Sequence, residues 1–365
     1  MLLETRTMRE YGSEHPAITL PDGYFNSLND FKRDTLLLRS GREALLLAAI
    51  ASSVQKEKTI LFPAYCCWSM TAPFVKAGWN VVYYRLREDL TVDTDYLRVL
   101  LEQVRPQAIL TMNYYGSAST EKAIQEVREY ESKSRCCIKI IEDFSHCTFS
   151  FKKICNQDVD IYVSSIRKSV GVCDGAIIMS KDPLPMQYIQ EEHKDFAEKR
   201  FAAQTKKARY MYNKDQNEKS EFLNVIRNCE TILDGFTAVR PISERARMQL
   251  ALVNGEEIAY ARRENMKHLW MLLNGKIDMV PGLERCMDGA PFSLPILVNK
   301  RDEVQNALAK RGVYTQLLWP ICSDAQRVCE VSKMMSSRML SVPIDQRYSW
   351  DDMEDVATII CEIVQ

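Results

Sequence analysis

Short apolar runs alternate with amphipathic segments between residues 35 and 180 of this chain. The runs are rich in β-branched and aromatic residues, which is typical of buried strands, whereas the segments between them repeat their apolar positions with helical spacing. This alternation predicts an α/β fold in which helices cover a mostly parallel sheet. The predicted strands are 59–62, 80–85, 108–112, 138–142, 160–164 and 175–179, and the predicted helices are 42–55, 68–77, 94–103 and 120–132.

The pattern changes in the second half of the chain. Residues from about 185 to 235 combine many charges with periodic apolar positions, which predicts long amphipathic helices on the outside of the molecule. A helical pattern at 242–271 is followed by a short strand at 292–298 and helices at 301–311 and 350–363. Because 365 residues exceed the usual size of a single core, we predict a large domain over 1–245 and a small C-terminal α/β domain over 246–365.

Composition argues against several classes of protein. The 48 basic and 49 acidic residues leave a formal net charge of -1, so no long-range field favours nucleic acid or an anionic membrane. No apolar run reaches the ~20 residues of a membrane-spanning helix, and the first residues lack the apolar core of a signal peptide, which predicts a cytoplasmic protein. Twelve cysteines without metal-ligand spacing are expected to be reduced thiols, and no metal site is predicted.

Two neighbouring strands end in residues that suit one kind of cofactor chemistry. The strand at 138–142 leads into Asp143 and His146, and the strand at 160–164 leads into Ser165 and Lys168. Pyridoxal phosphate requires a lysine amine that forms a Schiff base and a carboxylate that keeps the ring nitrogen protonated. Taken alone, Asp143 could cap a helix and the basic pair ending in Lys168 could be a solvated turn, but their order along the chain favours the cofactor.

A Ser40-Gly41 turn precedes the first predicted helix. The amides at a helix start lack intrahelical partners and the helix dipole favours an anion, so the turn suits a phosphate group. Most such turns are ordinary helix caps, and the turn alone is weak support. The hydroxyl of Ser165 could bind the same phosphate.

Together these motifs resemble the DegT/DnrJ/EryC1/StrS family of fold-type-I pyridoxal phosphate aminotransferases. The resemblance covers residues 35–180 in family order, includes the return strand at Gly175, and continues more loosely at 318–320 and 343–348. It implies a large domain with a mixed, mostly parallel seven-stranded sheet, a small C-terminal α/β domain and a homodimer with active sites at the subunit boundary. It also implies transfer of an amino group from an amino acid, usually glutamate, to a keto-sugar or a related carbonyl acceptor.

The resemblance assigns roles by position. Lys168 corresponds to the Schiff-base lysine, Asp143 to the partner of the ring nitrogen, and His146 to the residue beside the cofactor's phenolate oxygen. In the turn Ser40-Gly41-Arg42-Glu43, Arg42 and Glu43 take the places of the two hydroxyl residues that usually follow Ser-Gly in the family. Phosphate binding is therefore expected to rest on backbone amides and the Arg42 guanidinium.

The resemblance also implies an aromatic ring over the cofactor, at a place that Cys67 or Trp68 occupies here. Trp68 is the better candidate because a flat ring stacks on pyridine, although a tryptophan packed on a helix face is an equal alternative. Tyr114 and Arg347 are candidates for substrate binding, and a surface role for Arg347 is the simpler alternative. Asp174 and Gly175 keep only part of the acidic, glycine-rich segment that follows the lysine in the family, which leaves the substrate open.

Two alternative functions remain. One is another reaction of the same fold, such as sugar dehydration or action on an amino acid, although Lys168 argues against a dehydratase that lacks the lysine. The other is a non-catalytic regulatory homologue. Retention of Lys168 together with Asp143 and His146 argues against it, because a binding module does not need a Schiff-base lysine and its acid partner.

Overall fold

The computed structural model describes residues 10–12, 15, 33–53, 57–117 and 119–364. Strands and helices alternate along the first half, and helices dominate the second. The strands are β1 (Tyr11–Gly12), β2 (Asp34–Leu38), β3 (Thr59–Pro63), β4 (Asn80–Tyr84), β5 (Ala108–Met112), β6 (Lys139–Asp143), β7 (Ile161–Ser164), β8 (Ala176–Ser180), β9 (Ser293–Leu297), β10 (Val313–Tyr314) and β11 (Met339–Pro343). The helices are α1 (Gly41–Ala51), α2 (Trp68–Lys76), α3 (Thr94–Val104), α4 (Glu121–Ser134), α5 (Phe151–Ile154), α6 (Lys194–Asn213), α7 (Gln216–Asp234), α8 (Glu244–Leu250), α9 (Gly255–Leu273), α10 (Arg301–Lys310), α11 (Ser323–Val328), α12 (Glu330–Arg338) and α13 (Trp350–Val364).

Seven strands form the main sheet in the order β2-β8-β7-β6-β5-β3-β4. The five strands from β3 to β7 pair in parallel, whereas β8 runs antiparallel to both of its neighbours. Every residue of β5 and β8 is buried, as expected for strands that helices cover on both faces. The predicted mixed, mostly parallel seven-stranded sheet is therefore confirmed.

The register of the sheet brings the predicted chemistry together. Strands β6 and β7 are parallel neighbours, and Asp143 at the end of β6 pairs with Val163 in β7. The carboxyl ends of both strands therefore lie at the same edge, where the chain after β7 makes a 3-10 turn over Ile166–Lys168. Asp143 and Lys168 come from adjacent strand ends because of this register.

Two smaller pairings complete the strand structure. Strands β9 and β11 pair antiparallel, with α9 and α13 packed beside them, and β1 pairs in parallel with β10. The amide of Gly12 donates a hydrogen bond of 2.5 Å to the hydroxyl of Tyr348. Gly12 has a φ of +94°, and a Cβ at this position would lie 2.3 Å from the carbonyl oxygen of Tyr314. Only glycine fits this approach.

Helices α6 and α7 form an antiparallel pair joined by a tight turn. Lys214 ends α6 in the left-handed conformation, and the Asp215 side chain caps α7 by accepting from the amide of Asn217. The carboxylate of Glu230 on α7 reaches back to Arg200 on α6 at 2.9 Å. The long amphipathic helices predicted between residues 185 and 235 are confirmed.

Most predicted elements agree with the structure. All six strands predicted between residues 59 and 179 are present to within one residue at either end. The single helix predicted at 242–271 is wrong, because Ser243 caps α8 and Asn254 caps a separate α9. The edge strand β2 was not predicted, since only Leu38 of its five residues is buried and the strand ends two residues before Ser40. The domain boundary near residue 245 stays a prediction.

Within the residues that the structure describes, no helix combines the length and the apolar character of a membrane-spanning segment.

Candidate active site

A cavity of about 410 Å³ lies at the carboxyl edge of the main sheet. Lys168 and His146 form its wall on the sheet side, and Arg262, Trp319 and Arg347 form a second wall that comes from the other half of the chain. Its lining therefore combines residues from both halves of the chain. Three of these five residues were predicted site residues, and Arg262 and Trp319 were not assigned a role.

The Asp143 carboxylate is buried beside the lysine. Its Oδ1 accepts a hydrogen bond of 2.8 Å from the amide of Ser145. Burial raises the pKa of the Asp143 carboxyl, while the hydrogen bonds from Ser145 and the ammonium of Lys168 act in the opposite direction. The charge of Lys168 therefore acts on the carboxylate. The predicted roles of Asp143 at the ring nitrogen and of Lys168 as the Schiff-base lysine stay predictions.

His146 lies in an aromatic stack. Its ring is nearly parallel to that of Phe292, with centroids 5.5 Å apart, and to that of Trp319, with centroids 5.3 Å apart. Burial, together with the charge of Lys168, holds the pKa of His146 well below its usual value, so the imidazole is neutral. Its buried Nδ1 has no hydrogen-bond partner among the described residues. The site thus presents an unpaired polar atom beside the lysine.

The predicted phosphate turn begins α1. The hydroxyl of Ser40 accepts from the amide of Glu43 at 3.3 Å and donates to its carboxylate at 2.7 Å. Gly41 lies against Ser165, because a Cβ on Gly41 would be 3.3 Å from the Ser165 Cβ. The turn and the Ser165 hydroxyl therefore form one small cradle at a helix N-terminus, which fits a phosphate group.

The two charged residues of this turn already have charged partners. The Glu43 carboxylate forms a buried ion pair of 2.9 Å with Arg39. The Arg42 guanidinium forms an ion pair of 2.6 Å with Asp234 and lies 3.7 Å from Glu230, both on α7. A direct role for Arg42 and Glu43 in holding a phosphate stays a prediction.

The predicted ring-stacking residues lie away from the cavity wall. Cys67 caps the start of α2, with its Sγ 2.8 Å from the Ser69 hydroxyl, and Trp68 is 60% exposed as the first helical residue. The stacking role of Trp68 or Cys67 stays a prediction. Tyr114 is buried and donates a hydrogen bond to the carbonyl of Tyr65.

Arg347 reaches the cavity in an ion pair. Its guanidinium binds Asp345 at two points, 2.6 and 2.9 Å, and although burial opposes it, this pairing holds the pKa of the Asp345 carboxyl well below its usual value. His15 also lines the cavity, and burial together with the charge of Arg347 lowers its pKa to about 3. The simple alternative of a solvent-exposed Arg347 is therefore wrong.

Sequence reasoning missed three residues of the wall. Arg262 falls inside a helical pattern next to Arg263, where an arginine pair indicates a solvated face. His15 belongs to no recognisable motif. Trp319 lies in the looser part of the family resemblance, which was the only signal that could have found it.

Comparison with known proteins adds the fold class. At the level of sequence, no family model matches the chain and no curated protein matches it. Solved structures do match its fold. A DegT DnrJ EryC1 StrS aminotransferase from Brucella abortus is 14% identical with a TM-score of 0.64, and covers 93% of this chain and 88% of its own. PseC of Helicobacter pylori, an aminotransferase of pseudoaminic acid biosynthesis, is 14% identical with a TM-score of 0.66, covering 98% and 99%.

A further match is a proposed sugar aminotransferase from Streptococcus pneumoniae in its PLP form. It is 13% identical with a TM-score of 0.64, and the alignment covers 98% of this chain and 100% of that one. The chain therefore has the fold of the pyridoxal phosphate aminotransferases of fold type I. Identities of this size establish the fold, and the reaction has to be argued from the site.

Proposed function

We propose that this protein is a pyridoxal phosphate-dependent aminotransferase that moves an amino group from an amino acid donor, glutamate by family usage, to a keto-sugar or related carbonyl compound. The observation that carries the proposal is the placement of Lys168 and Asp143 at adjacent strand ends, with the lysine charge acting on both Asp143 and His146. The chain's fold is that of enzymes with this chemistry.

The residues present fit the cofactor. The Gly41 backbone and the Ser165 hydroxyl would hold its phosphate, Asp143 would hold a proton on the ring nitrogen, and Lys168 would carry it covalently. When bound, pyridoxal phosphate supplies an electron sink for the bond broken at the donor's α-carbon. A structure that had lost catalysis would not need this buried acid beside a lysine.

The chain's own groups account for the proton movements. With the cofactor and the donor bound, the Lys168 amine would take up the proton that leaves the donor's α-carbon and would give it back later in the reaction. Asp143 remains buried and hydrogen-bonded to Ser145, so its carboxylate stays in a fixed position during this transfer. Trp319 and Phe292 cover His146 and exclude water from that side.

The arginines of the second wall favour a substrate that carries an anionic group. Arg347 and Arg262 face the cavity together with Lys168, while Asp345 is the acid that lines it. We propose that Arg347 binds a carboxylate of the donor or an anionic group of the acceptor. Tyr114 lies one layer behind, where its hydroxyl supports the backbone at Tyr65.

The oligomeric state and the cellular location of the protein are proposed from the same family resemblance. We propose a cytoplasmic homodimer, with the large domain over residues 1–245 and the small domain over 246–365. Light scattering coupled to gel filtration measures the mass in solution. A mass of one chain at micromolar concentration would contradict the dimer.

The decisive experiment is incubation with pyridoxal phosphate, followed by borohydride reduction and peptide mapping. Nζ of Lys168 bonds to the aldehyde carbon with loss of one water, and hydride addition then gives a stable secondary amine. We expect a yellow protein whose adduct maps to Lys168, and glutamate-dependent formation of 2-oxoglutarate. Lys168→Ala should abolish both, while Lys152→Ala, at an exposed lysine, should change neither. An unmodified Lys168 in the folded wild-type protein would refute the proposal.

A further inference from the structure

Arg262 is the most deeply buried cation that borders the cavity. It lies on α9, only 1% of its surface is exposed, and its guanidinium makes four hydrogen bonds. The acceptors are the carbonyls of Ser169 (3.0 Å), Phe292 (3.0 Å) and Pro291 (3.2 Å) and the side-chain oxygen of Gln346 (3.1 Å). All four acceptors are neutral, so the arginine serves to hold backbone rather than to pair with an acid.

Burial of this cation has a cost that must be offset. Removal from water lowers the pKa of Arg262 to about 10, and the charge of Asp345 opposes that effect. Asp345 is itself bound at two points by Arg347. A buried charge held only by neutral groups is stabilised by its hydrogen bonds, which makes their geometry strict.

The hydrogen bond from Arg262 to Ser169 restrains the segment that carries Lys168. Ser169 directly follows Lys168, and its amide donates to the carbonyl of Ile166, which closes the 3-10 turn that carries Lys168. The Ser169 carbonyl accepts from both the Arg262 guanidinium and the side-chain Nε2 of Gln346, the latter at 3.1 Å. The end of the lysine turn is therefore fixed by two donors from the second half of the chain.

The hydrogen bond from Arg262 to Phe292 restrains the segment that packs on His146. The amide of Phe292 donates to the His146 carbonyl at 2.8 Å, and the Phe292 ring stacks on the imidazole. The same guanidinium that holds the Ser169 carbonyl also holds the Phe292 carbonyl. Arg262 thus connects the backbone of Lys168 with the segment that packs on His146.

We propose that Arg262 is a positioning residue for Lys168: its guanidinium fixes the lysine turn and the His146 wall relative to each other, so that the amine is held where it reacts. The inference rests on the proposed role of Lys168 as the cofactor-binding amine. Displacement of a reacting group by about 1 Å can slow a reaction by ~10²-fold, so loss of this link should be measurable in rates.

The test compares adjacent arginines on one helix. Arg262→Met and Arg262→Lys are compared with Arg263→Met, because Arg263 is a half-buried residue whose nearest acid is Glu264 at 4.0 Å. Three quantities are measured: the rate at which the borohydride-stable adduct forms on Lys168, kcat, and the Kd of pyridoxamine phosphate. The last ligand has no aldehyde and cannot bond to Lys168, so its Kd reports the non-covalent site alone. Thermal unfolding of each variant is recorded in parallel.

We expect Arg262→Met to slow adduct formation and kcat by about tenfold or more, with the Kd of pyridoxamine phosphate changed by less than about threefold. Arg262→Lys should recover part of the rate, and Arg263→Met should match the wild-type protein. Equal adduct rates in Arg262→Met and wild type would overturn the proposal. So would a parallel change in the rate and in the Kd, because that would indicate a general disturbance of the site.

If Arg262→Met does not fold, Gln346→Leu provides the same test. This change removes the second donor to the Ser169 carbonyl and one acceptor of Arg262. A slowing of adduct formation by about threefold or more supports the proposal, and an unchanged rate overturns it. A wild-type protein that forms no adduct on Lys168 would instead refute the proposed function, which separates the two failures.

Discussion

The two walls of the cavity are built by different means. On the sheet side, Asp143 and Lys168 are placed by backbone pairing between β6 and β7, and each lies within a few residues of its strand. On the second wall, side-chain hydrogen bonds place the arginines: Arg347 binds Asp345, and Arg262 reaches Ser169 across 93 residues. One wall is fixed by the sheet and the other by side chains.

This difference separates the tasks of the walls. A pair of acid and amine whose backbone positions are fixed by the sheet suits bond breaking, because the two side chains start from a constant separation. On the arginine wall, Arg347 can bind and orient a charged ligand, whereas Arg262 positions the lysine turn through its hydrogen bonds. Changes at Asp143 and Lys168 should therefore alter the chemical step, changes at Arg347 should alter binding, and changes at Arg262 should alter the chemical step through Lys168.

The sharpest test of this division is Asp143→Asn. The amide cannot hold a proton on the ring nitrogen as a carboxylate does, so we expect turnover to fall by ~10²–10⁴-fold. The primary isotope effect with α-deuterated glutamate should increase, because proton abstraction becomes rate-limiting. Glu142→Gln is the matched control at the adjacent position, and an equal loss of turnover in both variants would break the comparison.

Arg347→Lys tests the second wall. Lysine keeps the charge but loses the two-point geometry that Arg347 makes with Asp345. We expect the KM of the carboxylate-bearing substrate to rise about tenfold, which corresponds to about 1.4 kcal/mol, with a smaller change in kcat. Arg338→Lys, at an ion pair with Asp278, should leave both constants unchanged. A fall in kcat without any change in KM would contradict a binding role.

Glu142 offers the smallest effect, on stability rather than on turnover. Its carboxylate is buried on the other face of β6, where it accepts from Asn113 at 3.0 Å and from Thr120 at 3.1 Å. Burial raises the pKa of Glu142 to about 7, above the ~4.3 of an unfolded glutamate. Between these values the native state binds a proton that the unfolded state lacks, so the free energy of unfolding falls as pH rises toward 7.

Glu142→Gln should remove this contribution, which is at most about 1.4 kcal/mol per pH unit. Urea unfolding of both proteins at pH 5, 6, 7 and 8 measures the slope. Glu129→Gln, at an exposed position on α4, is the control and should keep the wild-type slope. Parallel slopes in wild type and Glu142→Gln would show that Glu142 does not titrate in this range.

The two walls also differ in how far the sequence predicts them. Lys168 and Asp143 could be predicted because strand-end residues stay close in sequence to the apolar runs that define the strands. The burial of Arg262 could not be predicted, because it depends on three carbonyl groups of two segments that meet only in the folded chain. The exposure of the Trp68 side chain could not be predicted either, because a residue's position along the chain does not determine how much of it faces solvent.

In the phosphate turn, the partners of the Arg42 side chain could not be predicted either. Its place after Gly41 suggests a guanidinium aimed at a phosphate, which stays a prediction, and in the structure it pairs with Asp234 and Glu230 from α7. Those acids lie in a helix whose solvated face looked unremarkable in sequence. A charged side chain is directed by partners that sequence spacing does not show.

The pairing of β1 with β10 limits how early the fold can be completed while the chain is being synthesised. Gly12 is synthesised 336 residues before Tyr348, yet its amide donates to the hydroxyl of that residue. A contact of such long range closes a very large loop and forms only after the intervening chain is present. The edge of the cavity at Gly12 must therefore wait until Tyr348 has been synthesised, and a nascent chain already containing the whole sheet would still have an open site.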